Sequence, residues 1–452
     1  MKLEAVELVD LFTNYKGAAN DRIALHQVMT DTRKEAKQSL FVPIVGDAFD
    51  AHDFLKQAIQ QGAVAALWQE NRALPKFVPT DFPVFYVKDT TEALQQLAEY
   101  YLRKINPLVI GVTGSNGKTT TKDMAASVLS TIYNTHKTAG NFNNHIGLPL
   151  TVLSMPEGTE ALVLEMGMNN AGEISLLSRL ATPDYAIITN IGESHLENLG
   201  SREAIASAKA EILEGLKPNG KVIIDGDEAL LAQLKKEERS ISCGFKQLCN
   251  YTISVEAAED NRSVFSVNGI RYELPMAGSH NVKNAAFVIA LCEQLQMPTK
   301  SIQQGLNHLT MSGMRFEKHE GIKGSLIIND AYNASPTSMK AVIEVVHQLQ
   351  AKKHKVLVLG DMFELGEKSL ALHAGVGEAI PAGIHAVYTL GNQAKEISTA
   401  AAAKNPQMEV YHFTDKKELI SQLLNTITED TVVLLKASRK MKLEELLLDL
   451  TD

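Results

Sequence analysis

Cysteine is scarce: there are three in 452 residues, Cys243, Cys249 and Cys292, without the spacing of a metal site. That excludes a disulfide framework and fits structural thiols in a reducing cytoplasm. Long apolar runs are missing too, and none reaches the roughly 18 residues that a membrane-spanning helix needs. The opening segment MKLEAVELVD carries acidic side chains early and no apolar stretch, so no secretory signal is expected. Positive charge is the third shortage. Lys and Arg total 44 against 53 Asp and Glu, a net charge of −9, which excludes nucleic-acid binding by bulk electrostatics. An anionic ligand must therefore be met by local cations. With 45% hydrophobic and 21% charged residues and no short repeat, the chain reads as soluble and globular, with room for about three domains.

What is present centres on Leu108–Thr121, LVIGVTGSNGKTTT. A short apolar strand, Leu108 to Val112, runs into a turn carrying Gly111, Gly114 and Gly117, then Lys118, Thr119, Thr120 and Thr121. A helical pattern follows, with Met124, Val128, Leu129 and Ile132 on one face. Strand, glycine turn, Lys-Thr and helix describe a phosphate cradle for ATP spanning Thr113, Gly114, Ser115, Asn116, Gly117, Lys118, Thr119 and Thr120. Glycines let backbone N–H groups approach phosphate oxygens, the helix N-terminus adds its dipole, and the lysine adds a charge. Thr119 is placed to offer its hydroxyl to Mg²⁺. The strict G-x-x-x-x-G-K-[ST] pattern is not met, because Val112 stands where its first glycine belongs. An ordinary strand–turn–helix corner needs neither the Lys-Thr pair nor so many hydroxyls.

Residues 1–105 read as a separate α/β unit, with strands at Ser39–Val45, Ala63–Trp68 and Val84–Val87. A helix over His52–Gln61 turns Phe54, Leu55, Ala58 and Ile59 inward. The polar clusters Asp31-Thr32-Arg33 and Gly46-Asp47-Ala48-Phe49-Asp50-Ala51-His52 fit either a phosphate or sugar contact or solvated loops. Arg103–Pro107 is the first linker candidate. Strands at Leu108–Val112, Ala161–Leu164, Tyr185–Thr189 and Lys221–Ile224 then alternate with helices at Ile174–Leu180 and Glu203–Leu213. Such alternation predicts a mostly parallel sheet with ligands at the carboxyl ends of its strands. Glu165, Asn190 and His195 end or follow these strands. Glu165 and Thr119 are natural oxygen donors for Mg²⁺, while His195 taken alone reads more readily as a packed or surface histidine. Weakly β-like Tyr251–Pro275 precedes the apolar helix Ala285–Leu295, and a second boundary falls near His308–Met314. The last third repeats the alternation with strands at Leu326–Ile328, Lys355–Leu359, Ala386–Leu390 and Val432–Leu435. Its helices are Met339–Leu349 and His373–Ile380, so a second doubly wound sheet is expected.

Several motifs together resemble the Mur ligase family of peptidoglycan synthesis: G-V-T-G-S-N-G-K-T-T, E-M-G-M-N-N, T-N-I-G-E-S-H-L-E-N-L-G-S, A-K-A-E-I and G-S-H-N-V-K-N-A-A. G-N-F-N-N-H-I-G-L-P-L-T, D-A-Y-N-A-S-P-T-S-M and L-G-D-M-F-E-L-G-E resemble its D-alanyl-D-alanine-adding branch. The resemblance runs in order along essentially the whole chain. It implies a three-domain α/β fold: a UDP-sugar-binding domain over 1–105, a central P-loop-type mononucleotide-binding parallel sheet over 106–312, and a Rossmann-like doubly wound domain over 313–452. The C-terminal domain would close on ATP and bind D-Ala-D-Ala. Partners would be UDP-N-acetylmuramoyl-tripeptide and D-Ala-D-Ala, the cofactors ATP and two Mg²⁺, and the protein a monomer.

The resemblance assigns roles residue by residue. Lys118 with the amides of Asn116 and Gly117 would hold the β- and γ-phosphates. Thr119 and Glu165 would bind the first Mg²⁺, and Glu165 and His195 the second. Lys209, in A-K-A-E-I, matches the lysine that the family carbamylates, which converts a cation into an anionic oxygen donor beside the metal. Asn281 and Asn284 match the asparagines on the adenine side. Arg315 matches the arginine that reaches the γ-phosphate from the C-terminal domain, and Asp330 the acidic residue near ATP and the incoming amine. Asn333 and Ser335 lie where the dipeptide is recognised. Asp31, Thr32, Arg33, Asp50 and His52 resemble the UDP-sugar segments, and Asn141, Asn143, Asn144 and His145 would face the muramoyl-peptide. The chain departs from the family at Thr32 for Ser, Ala51 for Gly and Asn329 for Asp. Lys436-Ala437-Ser438-Arg439-Lys440 lacks the glycines of the family's K-G-S-R-G segment.

The implied chemistry is phosphorylation of the tripeptide carboxylate, attack of the dipeptide amine on the acyl phosphate, and loss of phosphate. A folylpolyglutamate synthetase is disfavoured by the UDP-sugar-like first domain and by Asn141–Asn144. The ligase that adds the third residue is disfavoured because its D-N-P-R motif is absent. A nucleotide-binding regulator without catalysis has no use for the set Lys118, Glu165, His195, Lys209 and Arg315.

Overall fold

A computed structural model describes residues 1–46 and 49–451. Its centre is a nine-stranded sheet. From one edge the strands run Thr135–Lys137, Ala161–Glu165, Leu108–Thr113, Tyr185–Ile188, Lys221–Asp225, Ser240–Gly244, Tyr251–Glu259, Arg262–Val267 and Ile270–Leu274. Every pairing from Thr135–Lys137 to Tyr251–Glu259 is parallel; the last two are antiparallel. The apolar runs become parallel strands because both faces are covered. Val109, Leu162, Leu164, Ile188 and Ile224 pack into one apolar cluster, while Ile110, Val112, Val163, Ile187 and Ile223 pack into another on the opposite face. Alternate side chains of one strand point to opposite faces, so a continuous apolar run feeds both.

The N-terminal region forms a five-stranded sheet in the order Tyr15–Lys16, Val84–Val87, Ala63–Gln69, Ser39–Phe41, Gln27–Met29. Its apolar side, including Leu40, Leu67 and Phe85, belongs to the same cluster as one face of the central sheet. The helix Thr90–Ile105 joins the two. It turns Leu94, Leu97, Ala98 and Tyr101 inward, and the Tyr101 hydroxyl donates to the Met155 carbonyl at 2.8 Å. Asp89 caps it, accepting from the amides of Thr91 and Glu92 at 2.7 and 2.9 Å.

The C-terminal sheet runs Glu317–Glu320, Leu326–Asn329, Thr431–Lys436, His354–Gly360, Ala386–Leu390, Glu409–Phe413, parallel except for the first pair. Apolar clusters cover both of its faces, as a doubly wound sheet requires.

Several local expectations shift. The predicted strand Ser39–Val45 pairs only over Ser39–Phe41, because Pro43 has no N–H to give a ladder. Residues 51–54 form a 3-10 turn, and Phe54, expected inward, is exposed. Arg103 and Lys104 are the last turn of a helix rather than linker, which shortens the connection to Asn106 and Pro107. Ile132 lies beyond the helix end at Leu129 and is 47% exposed. Asp47 and Ala48, part of the second polar cluster, lie outside the described residues. Among the described residues no helix is long and apolar enough to cross a membrane.

Replacing Asp89 by Ala removes two capping bonds from the joining helix and should cost about 1 kcal/mol. The urea midpoint of its unfolding should fall, and Asp89→Asn should recover most of the loss.

Candidate active site

The phosphate loop is held by the end of the neighbouring strand. Ser115 and Asn116 donate their amides to the carbonyl and side-chain oxygens of Asn190, at 3.1 and 2.9 Å. Thr189 Oγ1 donates to the Asn116 carbonyl at 2.6 Å, and Ser115 Oγ accepts the Gly192 amide at 2.8 Å. Gly114 has φ +148°, and a Cβ there would lie 1.8 Å from Thr189 Oγ1. Gly117, at φ +78°, begins the helix Lys118–Leu129 with Asn284 against it, 2.8 Å from the position of a Cβ. Lys118 Nζ turns back and donates to the Gly114 carbonyl at 2.7 Å. Burial pushes this amine below the usual lysine range; the Glu165 carboxylate opposes that and the Arg315 charge adds to it.

Glu165 ends its strand only 3% exposed. Its Oε2 accepts from Thr119 Oγ1 at 2.8 Å and its Oε1 from Asn143 Nδ2 at 2.9 Å. A buried carboxylate paired with a hydroxyl suits Mg²⁺, which takes few protein oxygens and keeps waters and substrate phosphates. No cluster of three or more His, Cys, Asp or Glu exists among the described residues, so few protein donors are at hand. Lys209 is 1% exposed, and among the described residues its amine has neither hydrogen bond nor ion pair. Burial, with Lys118 adding repulsion, pushes it well below the lysine range.

The C-terminal domain supplies the facing wall. Arg315 lies between Met314 and Phe316, both left-handed at φ +58° and +53°, with its guanidinium 4.3 Å over the Tyr332 ring. Asp330 fixes that backbone by accepting the Phe316 amide at 3.0 Å, and pairs with the buried Lys436 amine at 2.5 Å. Ser335 accepts the Ser338 amide to cap the helix Pro336–Gln348 and donates to Asn116 Oδ1 at 2.9 Å. It is thus occupied as a cap and a bridge to the phosphate loop, whereas Asn333 is exposed. Thr337 donates to Glu193 at 2.7 Å. His195 Nδ1 lies 2.6 Å from Glu364, whose carboxyl is held below its usual range chiefly by this histidine.

Between these walls lies a cleft of about 940 Å³. It gathers the loop from Ser115 to Thr120 with Glu165, His195, Asn281 and Asn284. It also gathers Arg315, Asp330, Asn333 and Ser335 from the C-terminal side, and Asn141, Asn143 and Asn144 from the muramoyl-peptide motif. Thr113 and Gly114 are buried beneath it, with Thr113 Oγ1 donating to the Met166 carbonyl at 2.9 Å. The N-terminal candidates do not line it. Arg33 forms a two-pronged pair with Asp31, both bonds 2.8 Å, and holds that carboxyl at about 2. Thr32 donates to Gln57 at 3.1 Å. His52 is buried edge-on against Trp68 with Nδ1 2.6 Å from Asp50, and burial pushes its imidazole down.

Sequence reasoning missed Tyr332, Lys436, Glu364 and an ion pair beside Asn281 and Asn284, Lys283 with Asp225 at 2.9 Å. Asp225 ends a strand of the sheet and Lys283 lies between Asn281 and Asn284, so position alone signalled both.

Residues 24–102 match the Mur ligase family catalytic domain, 112–292 the Mur ligase middle domain, and 314–439 the Mur ligase glutamate ligase domain. The UDP-N-acetylmuramoyl-tripeptide–D-alanyl-D-alanine ligase of Bacillus subtilis is 46% identical over 440 residues, covering 96% of this chain and 94% of its own. The chain belongs to the Mur ligase family. The enzyme of the same name from Escherichia coli is 36% identical over 94% of this Mur ligase and 93% of itself. Among solved structures, MurF of Acinetobacter baumannii superposes with a TM-score of 0.87 at 28% identity, covering 99% of this chain and 98% of its own. MurF of Thermotoga maritima in complex with ADP gives 0.81 at 29% identity, over 94% and 96%.

In this Mur ligase, Gly114→Ala must displace the phosphate loop from Thr189. Nucleotide affinity should fall by at least about tenfold, a loss of ~1.4 kcal/mol. Calorimetric titration with ADP checks this, and unchanged affinity would show that the loop tolerates the side chain.

Proposed function

We propose that the protein is an ATP-dependent amide ligase that joins D-alanyl-D-alanine to UDP-N-acetylmuramoyl-tripeptide, giving the pentapeptide precursor of peptidoglycan. The observation that carries this reading is the composite cleft. The phosphate loop and Glu165–Thr119 come from the central domain, and Arg315 and Asp330–Lys436 from the C-terminal one. The names of the relatives, similar over nearly the full chain, agree with it. We divide the work among a UDP-sugar domain over 1–105, an ATP domain over 106–312 and a closing domain over 313–452, in a cytoplasmic monomer.

A carboxylate is a poor electrophile, so the γ-phosphoryl group passes to the terminal carboxylate of the tripeptide. Transfer of this kind asks for positioning and neutralised charge more than for covalent help. Lys118 releases the Gly114 carbonyl and turns to the phosphates, and Arg315 meets them from the opposite wall. Thr119, Glu165 and His195 would hold two Mg²⁺, which when bound offset charge on the phosphate oxygens. Lys209, once deprotonated, would attack CO₂ through its amine nitrogen. A C–N bond forms, one proton leaves, and the carbamate so made is anionic at a position where the family uses one. Asn281 and Asn284 would border the adenine. The amine of the dipeptide attacks the acyl carbon, and the tetrahedral intermediate expels phosphate. Asp330, paired with Lys436 beside Asn333, lies where that amine enters. Closing the cleft excludes water from the acyl phosphate.

Phosphate release with ATP and Mg²⁺ should require both a UDP-muramoyl-tripeptide and D-Ala-D-Ala, with UDP-muramoyl-pentapeptide appearing by mass. No release with either the diaminopimelate or the lysine tripeptide, in protein that binds ATP, would remove the assignment. Arg315→Ala should lower kcat by about 10²-fold or more, as loss of one charge-stabilising group does. Turnover near that of the unaltered enzyme would deny its role in closure.

A further inference from the structure

Glu364 has no role in the reaction described above, yet it makes the closest approach between the C-terminal domain and His195. Three observations set it apart. Its carboxylate Oε2 is 2.6 Å from His195 Nδ1. Its main-chain carbonyl accepts the Glu197 amide at 3.0 Å, a backbone bond across the domain boundary. Both Glu364 and His195 hold left-handed backbones, at φ +66° and +65°. A non-glycine residue in that region is strained, and two such residues meeting face to face mark a contact that the surrounding structure enforces.

The enforcement is visible. Gly366 packs so closely that a Cβ on it would lie 3.2 Å from the Glu197 Cα. The Phe363 amide donates to Ser438 Oγ at 3.0 Å, and the Ser438 amide to the Asp361 carbonyl at 3.1 Å. The Asp361 carboxylate in turn accepts the amides of Asn392, Gln393 and Ala394 at 2.7–3.0 Å. The 361–366 loop is therefore buttressed from within the C-terminal domain and pressed onto His195.

We propose that Glu364 is a positioning residue for His195, delivered only when the C-terminal domain docks. Its carboxylate accepts a hydrogen bond from Nδ1–H of the imidazole, fixes the tautomer and ring orientation, and leaves the Nε2 lone pair free for a metal in the cleft that the ring lines. A ligating histidine is oriented in this way by a carboxylate on its other nitrogen. The Nδ1 contact is short but not aligned as a hydrogen bond, and Nδ1 has no aligned partner among the described residues. Such bonds tighten when a site fills. Docking of the C-terminal domain would thereby complete the second metal position.

This inference rests on the reading of His195 as a metal ligand, and the test separates the two. Mn²⁺ binding to the enzyme–ADP complex is titrated by electron paramagnetic resonance for the unaltered protein, His195→Ala, Glu364→Ala, Glu364→Gln and Glu364→Asp. ADP affinity without metal serves as the check on folding. Glu364→Ala should weaken Mn²⁺ by about tenfold or more. Glu364→Gln should fall between it and the unaltered protein, Glu364→Asp should recover part of the loss, and metal-free ADP affinity should stay unchanged. If His195→Ala weakens Mn²⁺ while Glu364→Ala does not, the positioning role is wrong. If His195→Ala leaves Mn²⁺ unmoved, the ligand assignment itself falls.

Discussion

Asn190 holds the phosphate loop by main chain and side chain at once, and much of the molecule depends on that attachment. A loop that presents amides to phosphate has its own hydrogen-bonding groups turned outward, so something else must fix its shape. Here the fixing comes from the next strand of the same sheet, through Asn190, Thr189 and the Gly192 amide. Because that strand is clamped between two apolar clusters, the loop inherits the rigidity of the core. Gly114 is the cost of the arrangement: Thr189 fits only where no side chain stands.

An acidic chain that handles polyphosphate must concentrate its cations, and this one does so from two sides. Lys118 comes from the loop, while Arg315 comes from beyond the second connection and rests on Tyr332. Burial, with the Arg315 charge adding to it and the Glu165 carboxylate opposing, pushes the Lys118 amine below the usual lysine range. Ser335, Thr337 and Glu364 bring the walls together by polar contacts, the first of them buried.

Periodicity in the sequence disclosed most of the sheets, since alternating apolar runs and helices leave few other solutions. It failed at short or interrupted elements: Thr135–Lys137 and Glu409–Phe413 carry little apolar signal, and Pro43 cut a run that looked continuous. Glu165, at a strand end, and His195, following one, were legible from position, and both line the cleft. Lys209 was legible only by resemblance, because a lysine on a helix looks solvated until burial is known. Glu364, Tyr332 and Lys436 lie inside segments that carried the resemblance, but what each touches became evident only when distant segments met. Ser335 was read as a substrate contact, whereas the hydroxyl is engaged in capping and bridging.

The apolar cluster shared by the N-terminal region and one face of the central sheet has a mechanical meaning. Of the three larger sheets, two share a common interior, while the C-terminal sheet has buried clusters of its own and reaches the shared one through the half-buried Leu372. The N-terminal five-stranded sheet and the strands that carry the phosphate loop thus rest on one continuous apolar interior, so a displacement of either is felt by the other.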